Sequence, residues 1–339
     1  MLPVTVLALE GALASSVTLT IDVLAMANRA CLNASRPAAF AVQLRGSGAH
    51  LFRPFLAFPE ADHGAPELMI VPAQGLSKAE KYHERLSEPD ALDGRALIEA
   101  AGAGGAHVAG SCTGTLLVAA SGLLDGHRAT TAWWLAPVFK EMFPKVRLDT
   151  AELVLTDGRC TTAGAAMAQM DLMVGMVARY AGAQIADLCA RKMVLDERHS
   201  QTPYMAIGLL AASSESVAKA ASWARHRLGE DISVKDLARA VGQSPRTFAR
   251  RVTAATGLSP IQFLQQLRVE RAVELLESTT LPFEEIAFRV GYADSSSLRV
   301  LIRRRSGLGP KDLRVRARVA DAALAPRSFG VVPQMETRS

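Results

Sequence analysis

The sequence predicts two domains of different class: an α/β domain with a largely parallel sheet flanked by helices, then an all-α domain. Three observations carry that reading. Over the first 195 residues, short apolar runs rich in β-branched side chains alternate with longer helical patterns, as parallel strands joined by crossover helices require. Toward the C-terminus a small helical pattern occurs twice at a constant offset. The length, 339 residues, suffices for two separate cores.

In the α/β half, residues 4–9 are a short apolar run and read as a buried strand. A helix is expected over 17–30, a second strand over 40–44 and a third over 68–71, where Pro72 ends it before a loop holding Gln74 and Gly75. Residues 90–101 read as a helix, 107–111 as a strand that runs into Cys112, and 113–121 as a helix that Gly122 closes. A short strand over 128–131 and a helix over 135–143, stopped by Pro144, come next. Residues 148–155, broken near Glu152, and 160–162 read as strands on either side of the turn Thr156-Asp157-Gly158. Two helices, over 164–180 and 183–195, end the domain.

Composition excludes several classes. Residues 100–124 lack Asp, Glu, Lys and Arg but carry six glycines and His107, unlike the steadily apolar stretch a membrane span needs. The apolar N-terminus has no positive leading region and is interrupted by Glu10, which favours a first strand over a signal peptide. Cys31, Cys112, Cys160 and Cys189 are far apart and show no CxxC or Cys/His spacing. Reduced thiols, no metal site and a cytoplasmic location are expected. His107, His127 and His199 have no matching ligands. Met167, Met170, Met173 and Met176 recur every third residue, as core or as a face for a second copy of the chain.

Residues 196–218 are polar at first and include Pro203, and read as a linker; the apolar stretch 205–212 is available to dock. The all-α half spans 219–316, with its first helix starting near Ser222. Val234, Leu237, Ala238 and Val241 form one helical stripe closed by Gly242; Phe283, Ile286, Ala287 and Val290 form another closed by Gly291. A polar turn and a second helix follow each stripe. Ser244 as cap and Pro245 as first residue open one of these helices, and Asp294 caps the other. Phe248 corresponds to Leu298, Val252 to Ile302 and Gly257 to Gly307, all at an offset of 50. Between the copies a helix begins at Ser259-Pro260, with Ile261, Leu264, Leu267, Ala272, Leu275 and Leu276 available for its buried side. Residues 317–339 have no sustained period and are expected to form a disordered tail.

A helix, a turn with Gly and a second helix with basic outward positions is the helix-turn-helix layout, whose second helix enters the major groove. The outward positions are Arg246, Thr247, Arg250 and Arg251 in the first copy. In the second they are Ser295, Ser296, Ser297, Arg299, Arg303, Arg304 and Arg305. Arg246 and Arg250 lie on the outer face of an early turn and suit base edges; Arg251 and Arg303 to Arg305 suit phosphates. Charge follows the same division. Residues 220–318 hold 18 Lys and Arg against 10 Asp and Glu, whereas residues 1–219 hold 18 against 21. A protein that coats nucleic acid along its whole length would be basic throughout.

Gly110-Ser111-Cys112-Thr113-Gly114 joins a strand to a helix. Gly-x-nucleophile-x-Gly in that setting is an elbow that presents its central side chain at a helix N-terminus. The helix end is expected to lower the thiol pKa and to offer N–H donors to an anion. Hydrolysis would also need a base beside the thiol. Cys112 is either a small residue in a tight turn or a ligand-facing thiol; with Thr113, Gln74 and Trp133 it makes a candidate pocket. Trp133 and Trp134 could serve as core or as a cage for an ammonium ligand.

These motifs resemble two known families. Residues 230–316 resemble the AraC/XylS DNA-binding domain. The resemblance rests on Val241-Gly242-Gln243-Ser244, Leu267-Arg268-Val269-Glu270-Arg271-Ala272, Ile286-Ala287, Gly291-Tyr292-Ala293-Asp294-Ser295-Ser296-Ser297, Gly307-Leu308-Gly309-Pro310 and Arg314. Leu298 and Ile302 stand where that family usually has Phe, and Leu313 where it often has Tyr. Val300, with Arg299 beside it, stands where a basic residue is common. Residues 4–195 resemble the PfpI side of the class I glutamine amidotransferase-like superfamily, which implies a flavodoxin-like fold. That likeness rests on the elbow, Gly122-Leu123-Leu124-Asp125-Gly126 and Arg128-Ala129-Thr130-Thr131-Ala132-Trp133. Catalytic members usually have His where Thr113 stands and often an acidic residue near Ser15 and Ser16; relatives fused to AraC-type domains often have His where Ala132 stands.

The resemblance implies a transcription regulator, expected to be an activator; the elbow without its usual helper residues argues against enzymatic activity, and no cofactor is expected. The expected partners are double-stranded DNA, RNA polymerase, a second copy of the chain in a homodimer, and a small effector such as an amino acid, amine or quaternary ammonium compound; no membrane is expected. The alternative is a cysteine-dependent hydrolase or amidotransferase-like enzyme fused to a DNA-binding domain.

Overall fold

The computed structural model describes residues 1–75, 81–196, 198, 200–201, 204–211 and 214–324. The chain divides into two compact units, one built on Met1–Leu210 and one on Ala211–Thr253 and the residues from Leu258 onward.

The first unit begins with β1 (Leu2–Leu7), α1 (Ala14–Asn33), β2 (Phe40–Arg45), α2 (Ala49–Phe52), β3 (Leu68–Val71), α3 (Tyr82–Leu86) and α4 (Pro89–Ala103). It continues with β4 (His107–Ser111), α5 (Gly114–Ala120), β5 (Arg128–Ala129), α6 (Ala136–Met142), β6 (Arg147–Leu148), β7 (Val154–Asp157), β8 (Cys160–Ala163), α7 (Ala168–Ala181) and α8 (Ala183–Lys192). The six-stranded sheet has the order β2-β1-β3-β4-β8-β7. Its neighbours pair in parallel except for β7 on β8. Side-chain alternation sets the two faces. Val4, Val6, Leu68, Ile70 and Ala109 face a core shared with α1, α7 and α8. Leu7, Met69, Val71 and Val108 face another shared with α4, α5 and α6. Helices on both faces explain why these strands read as unbroken apolar runs.

The run over 148–155 breaks around Glu152, as its sequence predicts, and its two parts join different sheets. β6 pairs with β5 in a separate two-stranded ribbon, and β7 pairs with β8. The short helices α2 and α3 have no sequence period long enough to announce them. The four methionines divide: Met173 and Met176 are buried in the α1–α7–α8 core, while Met167 is exposed.

After α9 (Ile207–Ala211), where the two units meet in sequence, the second unit runs α10 (Glu215–Arg225), α11 (Val234–Ala240), α12 (Pro245–Thr256), α13 (Pro260–Ser278), α14 (Phe283–Arg289), α15 (Ser295–Ser306) and α16 (Pro310–Leu324). Both copies of the repeat are present, α11–α12 and α14–α15. Leu237, Ala238, Phe248 and Val252 are buried in one, and Ile286, Ala287, Leu298 and Ile302 in the other. Ser244 Oγ accepts from the Thr247 amide at 3.2 Å, and the Asp294 carboxylate accepts from the Ser296 and Ser297 amides at 3.1 and 3.2 Å. Ser259 forms a capping box with Gln262 behind Pro260. Gly242, Gly257, Gly291 and Gly307 have φ of 65°, 72°, 83° and 71°, the left-handed conformation that ends a helix.

Three expectations need correction here. Of the residues expected on the buried side of α13, Leu264, Leu267, Ala272, Leu275 and Leu276 are buried and Ile261 is not. Phe263, Leu264 and Leu267 are buried toward its start, and Val269, Ala272, Leu275 and Leu276 join the core of the second copy. Between Leu267 and Val269 the buried face swings round the helix, because α13 packs first on α10 and α11 and then on α14, α15 and α16. Ile261 lies off the first face and is 64% exposed. The first helix of this unit starts at Glu215, inside the stretch read as linker. The chain stays helical through α16 to Leu324, past the point where a tail was expected; residues 325–339 lie outside the described residues.

Candidate functional site

The outward positions of the two second helices fall on faces turned away from the core. At about 100° per residue, a residue two positions from a buried one lies on the opposite side of the helix. Arg246 and Arg250 lie two residues either side of buried Phe248, and both are exposed. Ser296 and Val300 hold the same positions about Leu298 and are also exposed. Arg303 and Arg304 extend the exposed face of α15. Other predicted contacts are engaged within the unit. The Thr247 and Ser297 hydroxyls sit at 2.9 and 3.4 Å from their helix caps, Ser244 and Asp294. The Arg251 guanidinium donates to Ser216 Oγ at 3.3 Å. Arg299 is placed to one side, its guanidinium 5.0 Å from the centre of the Phe283 ring. Ser295 is partly buried on the first turn of α15. The side chain of Arg305 lies outside the described residues.

Arg268 of α13 touches both halves of the repeat. Its guanidinium donates to Ile232 O at 3.5 Å and lies over the Tyr292 ring. Gly291 passes directly beneath: a Cβ there would run into the Leu228 carbonyl and the Arg268 guanidinium.

In the first unit the elbow is formed as the motif requires. Cys112 has φ 50°, left-handed and strained for a side-chain residue, and Gly114 packs so tightly on the Val71 and Pro72 carbonyls that no Cβ would fit. The expected thiol activation does not occur. Burial raises the Cys112 pKa to about 11, outweighing the lowering by Thr113. Removing an ionised thiolate from water costs more than the end of a seven-residue helix returns. Burial and then the nearby Cys112 push Tyr82 up to about 12.

The predicted pocket residues meet only in part. Thr113 Oγ1 donates to Gln74 O at 2.6 Å and accepts from the Gln74 amide at 2.7 Å. Gln74 and Thr113 line a small cavity with Tyr82, Arg85, Leu86, Leu116 and Leu117. Its volume is about 10 Å³, room for a single water. Cys112 and Trp133 lie outside that lining and are buried. Trp133 stacks edge-on against the more exposed Trp134. Ser16 Oγ, near the place where an acid was sought, accepts from the Ala73 amide at 3.0 Å. Gln74 Oε1 is buried with no partner among the described residues.

Sequence reasoning missed Gln201. It lies in the stretch read as linker, yet it is 1% exposed. Its Nε2 donates to Thr131 O at 2.8 Å and Thr130 Oγ1 at 3.2 Å, and its Oε1 accepts from the Trp133 amide at 3.2 Å. Thr131 Oγ1 in turn donates to Cys112 O at 2.7 Å. Gly164 leaves the space that the Gln201 carboxamide fills. A lone glutamine in a polar stretch carries no periodic signal, so only the fold could reveal it. Among the described residues no group of three His, Cys, Asp or Glu could hold a metal ion, and no helix is long and apolar enough to cross a membrane.

The twin helix pairs, their caps and their left-handed glycines coincide with a match between residues 237–316 and the family described as "Helix-turn-helix domain". The chain carries an AraC-type DNA-binding domain. Relatives extend the likeness into the first unit. The HTH-type transcriptional regulator GbdR of Pseudomonas aeruginosa is 24% identical over 221 residues, 64% of this chain and 60% of GbdR. The match therefore spans less than two thirds of that relative. The HTH-type transcriptional regulator GlxA of Rhizobium meliloti is 28% identical over 231 residues, 63% of this chain and 66% of GlxA. A solved AraC family transcriptional regulator from Pseudomonas putida is 23% identical, with a TM-score of 0.42, covering 56% of this chain and 98% of that one.

Proposed function

We propose that the chain is a cytoplasmic, ligand-responsive transcription regulator. Its AraC-type domain reads one stretch of duplex DNA through α12 and α15, and its first unit responds to a small effector held beside the elbow. The observation that carries this reading is the matched presentation of two capped helices, with Arg246, Arg250, Arg303 and Arg304 on their exposed faces. Full-length protein incubated with a random duplex pool should enrich one sequence, and affinity for it should fall steeply with salt as contacted phosphates release counterions. Failure to enrich any sequence would overturn the reading.

The effector proposed is an amino acid, amine or quaternary ammonium compound. The space at Gln74, Tyr82 and Thr113 holds one water as it stands, so binding has to favour a state in which it is wider. A thermal-shift screen of the full chain against those compounds is the test, with a raised transition for at least one as the expected result. A homodimer and contact with RNA polymerase to activate transcription complete the proposal. Against a hydrolase stand a thiol that burial keeps protonated and a Thr113 hydroxyl already committed to Gln74. Amide turnover that disappears in Cys112→Ser would reverse this assignment.

A further inference from the structure

The two reading helices are built alike but present different chemistry at their outermost positions. Arg246 and Arg250 of α12 stand 50 residues before Ser296 and Val300 of α15. In both helices this pair lies opposite the buried core residues, Phe248 and Val252 in one and Leu298 and Ile302 in the other. Where the first copy offers two guanidinium groups, the second offers a hydroxyl and an isopropyl group. Val300 is 66% exposed, on a face otherwise made of Ser296, Arg303 and Arg304. No packing among the described residues accounts for an apolar side chain there. Arg299 does not substitute for the missing charge, since its counterpart in the first copy is Ala249 and its guanidinium lies over Phe283.

Resting on the DNA-reading function above, we infer that the two copies read different bases: Arg246 and Arg250 read guanine, and Val300 reads the 5-methyl group of a thymine. The chemistry follows from the groove. Guanine presents two acceptors that a guanidinium can span, whereas thymine presents a methyl group that an apolar side chain can cover. Ser296, one turn before Val300, can donate to or accept from a neighbouring base edge. Arg303 and Arg304, further along the helix, supply phosphate contacts to hold it in place.

The test uses the full chain and the duplex it enriches from a random pool. Each thymine of that duplex is replaced in turn by deoxyuridine, which removes only the methyl group. One position should weaken binding about fourfold, as expected for one methyl kept from water. Val300→Ala should bind the original duplex about fourfold more weakly and become indifferent to deoxyuridine at that same position. Enrichment repeated with Val300→Arg should replace thymine by guanine there. Val300 is exposed and outside the core, so these variants keep the fold. A scan with no sensitive thymine, or a sensitivity that survives in Val300→Ala, overturns the inference while leaving the DNA-reading function intact. An enrichment that yields no sequence removes both.

Discussion

Arg250 and His107 show how much a single side chain can decide. Arg250 projects from the outer face of α12. Arg250→Ala should cost about 1–3 kcal/mol on the enriched duplex and relax the preference at one base pair. Equal weakening on every sequence would reduce it to a phosphate contact. His107 is 4% exposed, with Nε2 2.8 Å from Thr161 Oγ1 and Nδ1 buried without a partner among the described residues. Burial, and then Arg179, lower its pKa to about 4. The folded chain therefore refuses a proton that the unfolded chain accepts between about pH 6.5 and pH 4. Stability of the first unit is full above that window and is lost as pH falls through it, by up to about 3 kcal/mol. Urea melts of the wild type should show that slope, and those of His107→Gln should not.

Twin elements make twin experiments. Gly242 and Gly291 end equivalent helices with φ of 65° and 83°. Among the described residues nothing lies within 4 Å of a Cβ built on Gly242, whereas one on Gly291 meets the Leu228 carbonyl. Gly242→Ala should cost about 1–2 kcal/mol, for the left-handed backbone alone. Gly291→Ala should cost clearly more, and calorimetry of the full chain separates the two. Equal losses would mean that the close approach at Gly291 carries no energy. In the first unit, Gln201→Ala leaves the Trp133 amide and the Thr131 carbonyl without their partner. A loss of about 1–3 kcal/mol in the first thermal transition is expected, and an unchanged transition would show that the segment around Gln201 is not anchored there.

For the whole reading domain, α13 is the controlling part. It packs on both copies and so sets the spacing of α12 and α15. Two reading helices held side by side serve major-groove segments about 10 base pairs apart. Inserting about five base pairs, half a helical turn, between the two halves of the enriched duplex should reduce affinity to that of one half alone. A gel shift measures this directly, and undiminished binding would show that the copies do not act together on one duplex.

Sequence alone determined the class of both units and the register of the repeat, because each rests on local periodicity. Strands at 68–71 and 107–111 come from short apolar runs, and the caps at Ser244 and Asp294 from residue chemistry that acts within one turn. The tertiary structure alone decided what depends on contacts distant in sequence. Burial, not the adjacent helix end, sets the Cys112 thiol. Packing on two partners in succession exposes Ile261 and buries Phe263. A glutamine from an apparent linker fills the space above Gly164. Desolvation and packing depend on which segments meet, and a linear period carries no record of that.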